Sequence, residues 1–441
     1  MKTRFRAPVA LACDPGCTVL RDAVVDVGAD GRITRVAAAS AAPAAPAGTA
    51  TVELTGILLP GLVNAHAHTP MTLLRGAGGD LPLMRWLQDV MWPAEGRLQA
   101  PDVGTGMLLG CLEMLRAGVT TSVEMYFFGD PIVDAVLAAG SRVVLTPGVI
   151  AVPGWDRLGS WQSMLGGIDN WIDADGLRFG AGERIELGYG PHAAYTLPPE
   201  ALVKCAAAAR ERSALLHLHV AESAGEDAEQ RARHGSVPRM LAELGVLGGR
   251  VLAAHCVQLS EPDIEVLAAN AVGVAHCPGS NAKLASGIAP VRALRARGVR
   301  VGLGTDGPAS NDDLDLWEEM RLAAMLARLS AGDAAALTAT DVLLMATSGG
   351  AAAIGRPDLG TIATGAWADL VHVGVDDPAF VAGIDAPDQQ LLANLVWAAG
   401  SRTVRDVWVA GERVLAGGEP TRVDAAEARA EAARVSARLL G

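Results

Sequence analysis

The sequence predicts a (β/α)8 barrel beside a small β domain built from both ends of the chain. Three observations carry that prediction. Between residues 59 and about 345, apolar strand-like runs alternate with amphipathic helical runs, eight times over. The strand runs are close to continuous in apolar residues, as expected of parallel strands buried on both faces. Seven of the nine histidines fall at or near the C-terminal ends of those runs, where barrels place their chemistry.

The elements follow in order. Residues 1–58 read as short strands and turns, with Ala23–Val27 and Arg32–Val36 alternating about a Gly28–Gly31 break. Residues 37–51 are nearly all Ala, Pro, Ser, Thr and Gly, which makes a loop. Eight barrel strands are expected at 59–66, 119–126, 142–148, 184–190, 214–220, 250–255, 272–276 and 300–305. Helical runs such as Asp102–Ala117, Pro199–Arg212 and Pro262–Asn270 separate them. Strand–turn–strand patterns return at Ala368–Val375 and 404–418, too small for a sheet of their own but able to complete one with the N-terminal strands. The expected organisation is 1–58 with 359–423 as the small domain, 59–358 as the barrel and 424–441 as a C-terminal helix.

Composition narrows the function classes. The chain has 441 residues, 50% hydrophobic and 19% charged, with ample material for one large core. A net charge of −13 argues against nucleic acid as a partner. Six scattered cysteines form no disulfide framework, which points to a reducing, cytoplasmic setting. The basic start Met-Lys-Thr-Arg-Phe-Arg precedes a run broken by Pro8, Asp14 and Pro15, so no signal peptide is expected. No stretch approaches the ~20 apolar residues that span a bilayer, so no membrane partner is expected either.

The chemistry lies at the strand ends. His66 and His68 are two residues apart, so both imidazoles project from one face of the first strand. His192 follows strand four, His217 and His219 lie on strand five, and His255, His276 and Asp306 end strands six, seven and eight. A lone histidine at a strand end is usually a hydrogen-bonded structural residue. Several strands contributing to one rim are harder to explain that way. The economical ligand set is His66, His68, His219 and Asp306 around one divalent metal ion, zinc first, with iron or manganese as alternatives. Such a metal lowers the pKa of a bound water toward ~7. His255 is either a fifth ligand or, as we prefer, a hydrogen-bond partner of that water, and Asp306 is placed to take its proton. His217 lies one layer deeper. Glu222, three residues past His219, can carry a proton to a substrate ring nitrogen, although an acid here also suits an ordinary helix N-terminus.

These motifs resemble the amidohydrolase superfamily, in the branch of metal-dependent nucleoside and heterocycle deaminases and chlorohydrolases. The runs that carry the resemblance are Pro60–Gly76, Gly188–His192, His219–Glu222, Ala254–Cys256, His276–Asn281 and Gly304–Asn311. Within the branch, Met71–Gly76 and Trp86 with Trp92–Glu95 most resemble the 5′-methylthioadenosine/S-adenosylhomocysteine deaminases. The resemblance implies the barrel with its terminal β-sandwich and the ligand set above. It implies Glu222 as proton carrier to the purine and His255 as orienter of the attacking water. It further implies substrate contacts from Glu95, to ribose hydroxyls, and from His192, Trp86 (in a lid starting at Thr69), Arg157 and Ser310.

One departure stands out. Where relatives carry an arginine at the end of strand three, this chain has Pro147, and a second family arginine corresponds to Arg157 only across a gap in the loop 149–160. A lost guanidinium weakens the case for an amino-acid tail, because two arginines hold a carboxylate best. The expected activity is hydrolytic deamination of an adenine nucleoside to its inosine analogue and ammonia. The alternatives are deamination of an aminodeoxyfutalosine, hydrolysis of a triazine-type ring, and a catalytically silent binding barrel. A small-molecule nucleoside is the expected partner, with a homo-oligomer compatible with the family.

Overall fold

The computed structural model describes residues 2–152 and 155–441. Eight parallel strands run Leu62–Ala67, Val119–Glu124, Arg142–Leu145, Ile185–Pro191, Leu215–Val220, Arg250–His255, Gly273–His276 and Arg300–Leu303, each paired with the next. The ring closes through a parallel bridge between Ala67 and Asp306, with Asp306 N–H donating to His66 O at 3.0 Å. Gly304 makes that closure possible: a Cβ there would stand 2.9 Å from the His66 backbone nitrogen. Below the rim, the Asn64 amide donates to Thr305 Oγ1 at 2.7 Å and accepts from Thr305 N–H at 3.1 Å, fastening strand one to strand eight.

Both ends of the chain share a second, mostly antiparallel sheet. Ile57–Pro60 stitches it together, lying parallel to Thr3–Leu11 on one side and antiparallel to Leu370–Val373 on the other. Phe5 and Trp408 touch edge to face at 5.0 Å although two strands separate theirs. At about 4.8 Å per strand a flat sheet would hold them much farther apart. The sheet therefore curls over on itself, sandwich-fashion, around a core that includes Phe5, Val25, Leu58, Leu370 and Trp408. Ala425–Leu440 forms the C-terminal helix and packs on the helix Ala100–Arg116.

One strand assignment needs correction. Residues 59–66 read as a single strand, but the chain breaks at Gly61 and its halves belong to different sheets. Gly61 N–H donates to Asp369 O at 2.8 Å, and a Cβ there would lie 2.0 Å from Thr120 Oγ1. Only glycine lets the backbone turn so close to strand two. Strand three is also interrupted, because Pro147 has no N–H to give the ladder; pairing resumes at Gly148–Val149.

The two sheets are joined by a fully buried ion pair. Arg142, on strand three, places Nε 2.8 Å and Nη2 3.0 Å from the two carboxylate oxygens of Asp369, which also accepts from Ala410 N–H at 2.7 Å. Removing one partner strands the other charge in the core, a loss of about 3–5 kcal/mol. Arg142→Met is accordingly expected to lower the unfolding free energy by about that amount, read from denaturant titration. A change below about 1 kcal/mol would mean that the pair is not holding the sheets together.

Candidate active site

His66, His68, His219 and Asp306 converge at the C-terminal mouth of the barrel, each offering an atom within 4.8 Å of the others. His66 Nε2 and His68 Nε2 each lie 3.3 Å from Asp306 Oδ1, and His68 Nε2 lies 3.2 Å from His219 Nε2. The backbone contributes to this convergence. Asp306 and His255 leave their strands with φ of 62° and 69°, a left-handed turn that costs non-glycine residues about 1–3 kcal/mol each.

Hydrogen bonds determine which ring nitrogen is free. His68 Nδ1 donates to Met125 O at 2.6 Å, and His219 Nδ1 donates to His192 O at 2.8 Å, so both Nε2 atoms keep their lone pairs. The His66 ring is set by a buried relay. Thr146 Oγ1–H donates to Glu124 O at 2.9 Å, which leaves Thr146 only lone pairs to offer His217 Nδ1 at 3.0 Å. His217 Nδ1 therefore carries the proton, and His217 Nε2 accepts from His66 Nδ1 at 2.8 Å. The remaining nitrogen, His66 Nε2, is buried without a hydrogen-bond partner. Burial, with neighbouring charges, holds His66 at about 4 and His217 and His219 well below the usual histidine value, so the imidazoles are neutral, as metal ligands must be. Three neutral nitrogens and one carboxylate, with an orphaned donor atom among them, fit a divalent metal of the zinc type. His217→Leu should weaken the binding of a divalent metal by the four-donor group about 10–100-fold, the usual effect of losing an outer partner; an unchanged affinity in calorimetric titration would show that the relay does not support the site.

Asp306 Oδ2 faces away from the histidines and lies 2.6 Å from Ser280 Oγ and 2.9 Å from Ser310 Oγ. His255 is outside the four-donor group: its Nδ1 donates to Asn281 Oδ1 at 2.9 Å, and its Nε2 lies 4.0 Å from Glu222 Oε2. Burial raises the Glu222 carboxyl, partly offset by His255 and reinforced by Asp306. Burial opposes protonation of His255, but the Glu222 and Asp306 charges outweigh it and raise its pKa. The two groups face each other over a cavity lined also by His68, His219 and Asp306.

The same cavity reaches His192, Ser310, Trp86 and Glu95. Glu95 is buried and accepts from Tyr126 O–H at 2.7 Å through Oε1; burial pushes it up to about 7, with Tyr126 and Arg157 pulling the other way. Arg157 is placed differently. It donates from Nη2 to Glu95 O at 2.8 Å and from Nη1 to Leu98 O at 3.2 Å, and it lines a neighbouring cavity together with Pro147, Phe127 and Phe128. Within the loop 149–160, residues 153 and 154 lie outside the described residues.

Residues 57–414 match the amidohydrolase family. The chain belongs to that family. This amidohydrolase is 44% identical over 392 residues to the 5-methylthioadenosine/S-adenosylhomocysteine deaminase of Pelotomaculum thermopropionicum, covering 88% of each chain. It is 42% identical over 410 residues to the 5′-deoxyadenosine deaminase of Methanosarcina mazei, covering 91% of this chain and 90% of the relative. Among solved structures, an adenosine deaminase from Xanthomonas campestris with bound zinc superposes with a TM-score of 0.88 at 36% identity, covering 99% of this chain and 98% of the other. An atrazine chlorohydrolase of Arthrobacter aurescens shares the fold at 23% identity, with a TM-score of 0.88 over 98% of this chain and 100% of its own.

Several groups that shape the amidohydrolase site leave little or no signal in the sequence. Ser280 and Asn281 sit directly after strand seven within the His276–Asn281 run, and that position was the available signal. Tyr126 follows strand two beside no histidine or acid rim residue except Glu124. Thr146 carried no signal, because its role depends on the interruption of strand three. Among the described residues, no helix is long and apolar enough to cross a membrane.

Proposed function

We propose that this amidohydrolase is a zinc-dependent hydrolytic deaminase of 5′-modified adenine nucleosides, with methylthioadenosine-like substrates favoured. The observation that carries the reading is the pairing of a three-histidine, one-aspartate donor group with a buried acid, Glu222, in one cavity, in a chain 42–44% identical to deaminases of adenine nucleosides. When bound, the single metal ion supplies the Lewis acidity that makes a water nucleophilic near neutral pH. His66, His68, His219 and Asp306 would hold it.

The residues divide the remaining work. His255, aimed by Asn281, orients the attacking water, and Asp306 takes the proton released as the oxygen bonds to C6 of the purine. Glu222 carries a proton to the ring nitrogen beside C6, which lets the ring accept the electron pair; the proton held by Asp306 then passes to the amino nitrogen, the C6 hydroxyl returns its proton to Glu222 as C6=O forms, and the C6–N bond breaks to release ammonia. Glu95, fixed through Oε1 by Tyr126, has its other oxygen for ribose hydroxyls, while His192, Ser310 and Trp86 border the nucleoside.

The 5′ group is where this chain differs. Arg157 gives two of its five N–H donors to backbone carbonyls, and with Pro147 beside it a tail carboxylate would meet at most this one partly engaged guanidinium among the described residues. An uncharged thioether or methyl group suits the mainly apolar surroundings better than a homocysteine tail. Methylthioadenosine is therefore expected to exceed S-adenosylhomocysteine in kcat/KM by tenfold or more, on the order of the ~1.5–3 kcal/mol of one charge-assisted hydrogen bond. Equal efficiencies in a spectrophotometric assay would count against this tail assignment. Six buried, unpaired cysteines suit a reducing compartment, and we place the enzyme in the cytoplasm.

A further inference from the structure

Glu319 is fully buried on the first turn of the helix Leu316–Ala331, and no basic side chain pairs with it among the described residues. Its two oxygens reach two different loops. Oε2 accepts from Gly279 N–H at 3.0 Å, at the start of the segment Pro278–Lys283 that follows strand seven. Oε1 accepts from Asn311 Nδ2 at 3.0 Å, in the loop that follows strand eight. Burial pushes this carboxyl up to about 8, with its two hydrogen bonds pulling down and Asp313 and Asp306 adding to the rise.

Buried, unpaired acids are costly to folding, so packing alone is a poor reason to keep one here. What rides on the two loops is more telling. Ser280, next to Gly279, and Ser310, next to Asn311, both contact Asp306 Oδ2. Asn281 directs the His255 ring. The junction is also tight: a Cβ on Gly279 would stand 2.1 Å from Asn311 Oδ1 and 2.4 Å from Glu319 Oε1. Asp306 itself sits in a left-handed backbone conformation that needs outside support.

We propose that Glu319 is a positioning residue for the metal end of the site, locking the loops after strands seven and eight together so that Ser280, Ser310 and Asn281 hold Asp306 and His255 in place. It touches neither substrate nor metal. The inference rests on Asp306 and His255 belonging to the site, as in the reading above.

The test compares Glu319→Gln with Glu319→Leu in the full chain. It measures the zinc dissociation constant by competition with a chromophoric chelator, kcat and KM on methylthioadenosine, and the melting temperature of the metal-free protein. Glutamine can accept from Gly279 N–H and donate to Asn311 once that amide turns round, so zinc affinity and kcat should stay within about threefold. Leucine satisfies neither loop, and zinc affinity should fall about 10–100-fold, with a loss in kcat and little change in KM. If Glu319→Leu melts lower yet binds zinc and turns over like the parent chain, Glu319 is an ordinary core residue and the proposal is overturned. Should the leucine variant fail to fold, Gly279→Ala supplies the same reading, because its methyl group forces the two loops apart with Glu319 intact. Parent-like zinc affinity in folded Gly279→Ala would overturn the proposal equally. Zinc affinity is measured without substrate, so a parent protein that binds zinc but deaminates no nucleoside would count against the proposed function and leave this inference to be decided by the variants.

Discussion

Replacing Glu222 with glutamine is expected to lower kcat about 10²–10⁴-fold, the usual weight of a positioned acid–base group, while zinc stays bound. Glu222 is outside the four-donor group, so its amide should leave the metal cradle unchanged. It is buried in the cavity, 4.0 Å from His255, and burial raises its carboxyl above the ordinary value, which favours the protonated form that gives a proton. Glutamine keeps the volume and a hydrogen-bonding tip but cannot transfer a proton. Steady-state kinetics with metal analysis on the same preparation check this. A full metal complement with kcat within threefold of the parent would refute the proton-carrier role.

The second large effect is expected from the metal cradle. Asp306→Ala should weaken zinc binding by more than the ~10–100-fold of an outer partner such as His217, and should abolish measurable turnover. Asp306 is the single anionic donor in the group, and its loss leaves three neutral imidazoles. Stability should follow the same linkage. A ligand that binds only the folded state adds about 2.7 kcal/mol when present at a hundred times its dissociation constant. Chelation should therefore lower the melting temperature of the parent protein and leave that of Asp306→Ala almost unmoved. Equal shifts in both proteins would show that the stabilising metal sits elsewhere.

The eight barrel strands were legible because parallel strands buried on both faces leave long apolar runs, and the helices between them carry a different period. The break at Gly61 was not legible, since an apolar run looks the same whether it serves one sheet or two. His66, His68, His219 and Asp306 could be grouped because each ends a strand, and strand ends meet at one rim in this fold. Thr146 and Glu319 could not be found that way. Their positions depend on an interrupted strand and on loop paths, which composition and spacing do not encode. Arg157 shows the same limit from the other side: its type suggested a carboxylate partner, but the turn at 95–98 takes up two of its donors.

The most direct measurement is ammonia release by the zinc-loaded protein from adenosine, 5′-deoxyadenosine, methylthioadenosine, S-adenosylhomocysteine and an aminodeoxyfutalosine, with a chlorotriazine as control. The account predicts ammonia in equal amount to the inosine analogue formed, with the uncharged 5′-modified adenosines turned over most efficiently. Chloride from the triazine with no ammonia from any nucleoside would contradict it.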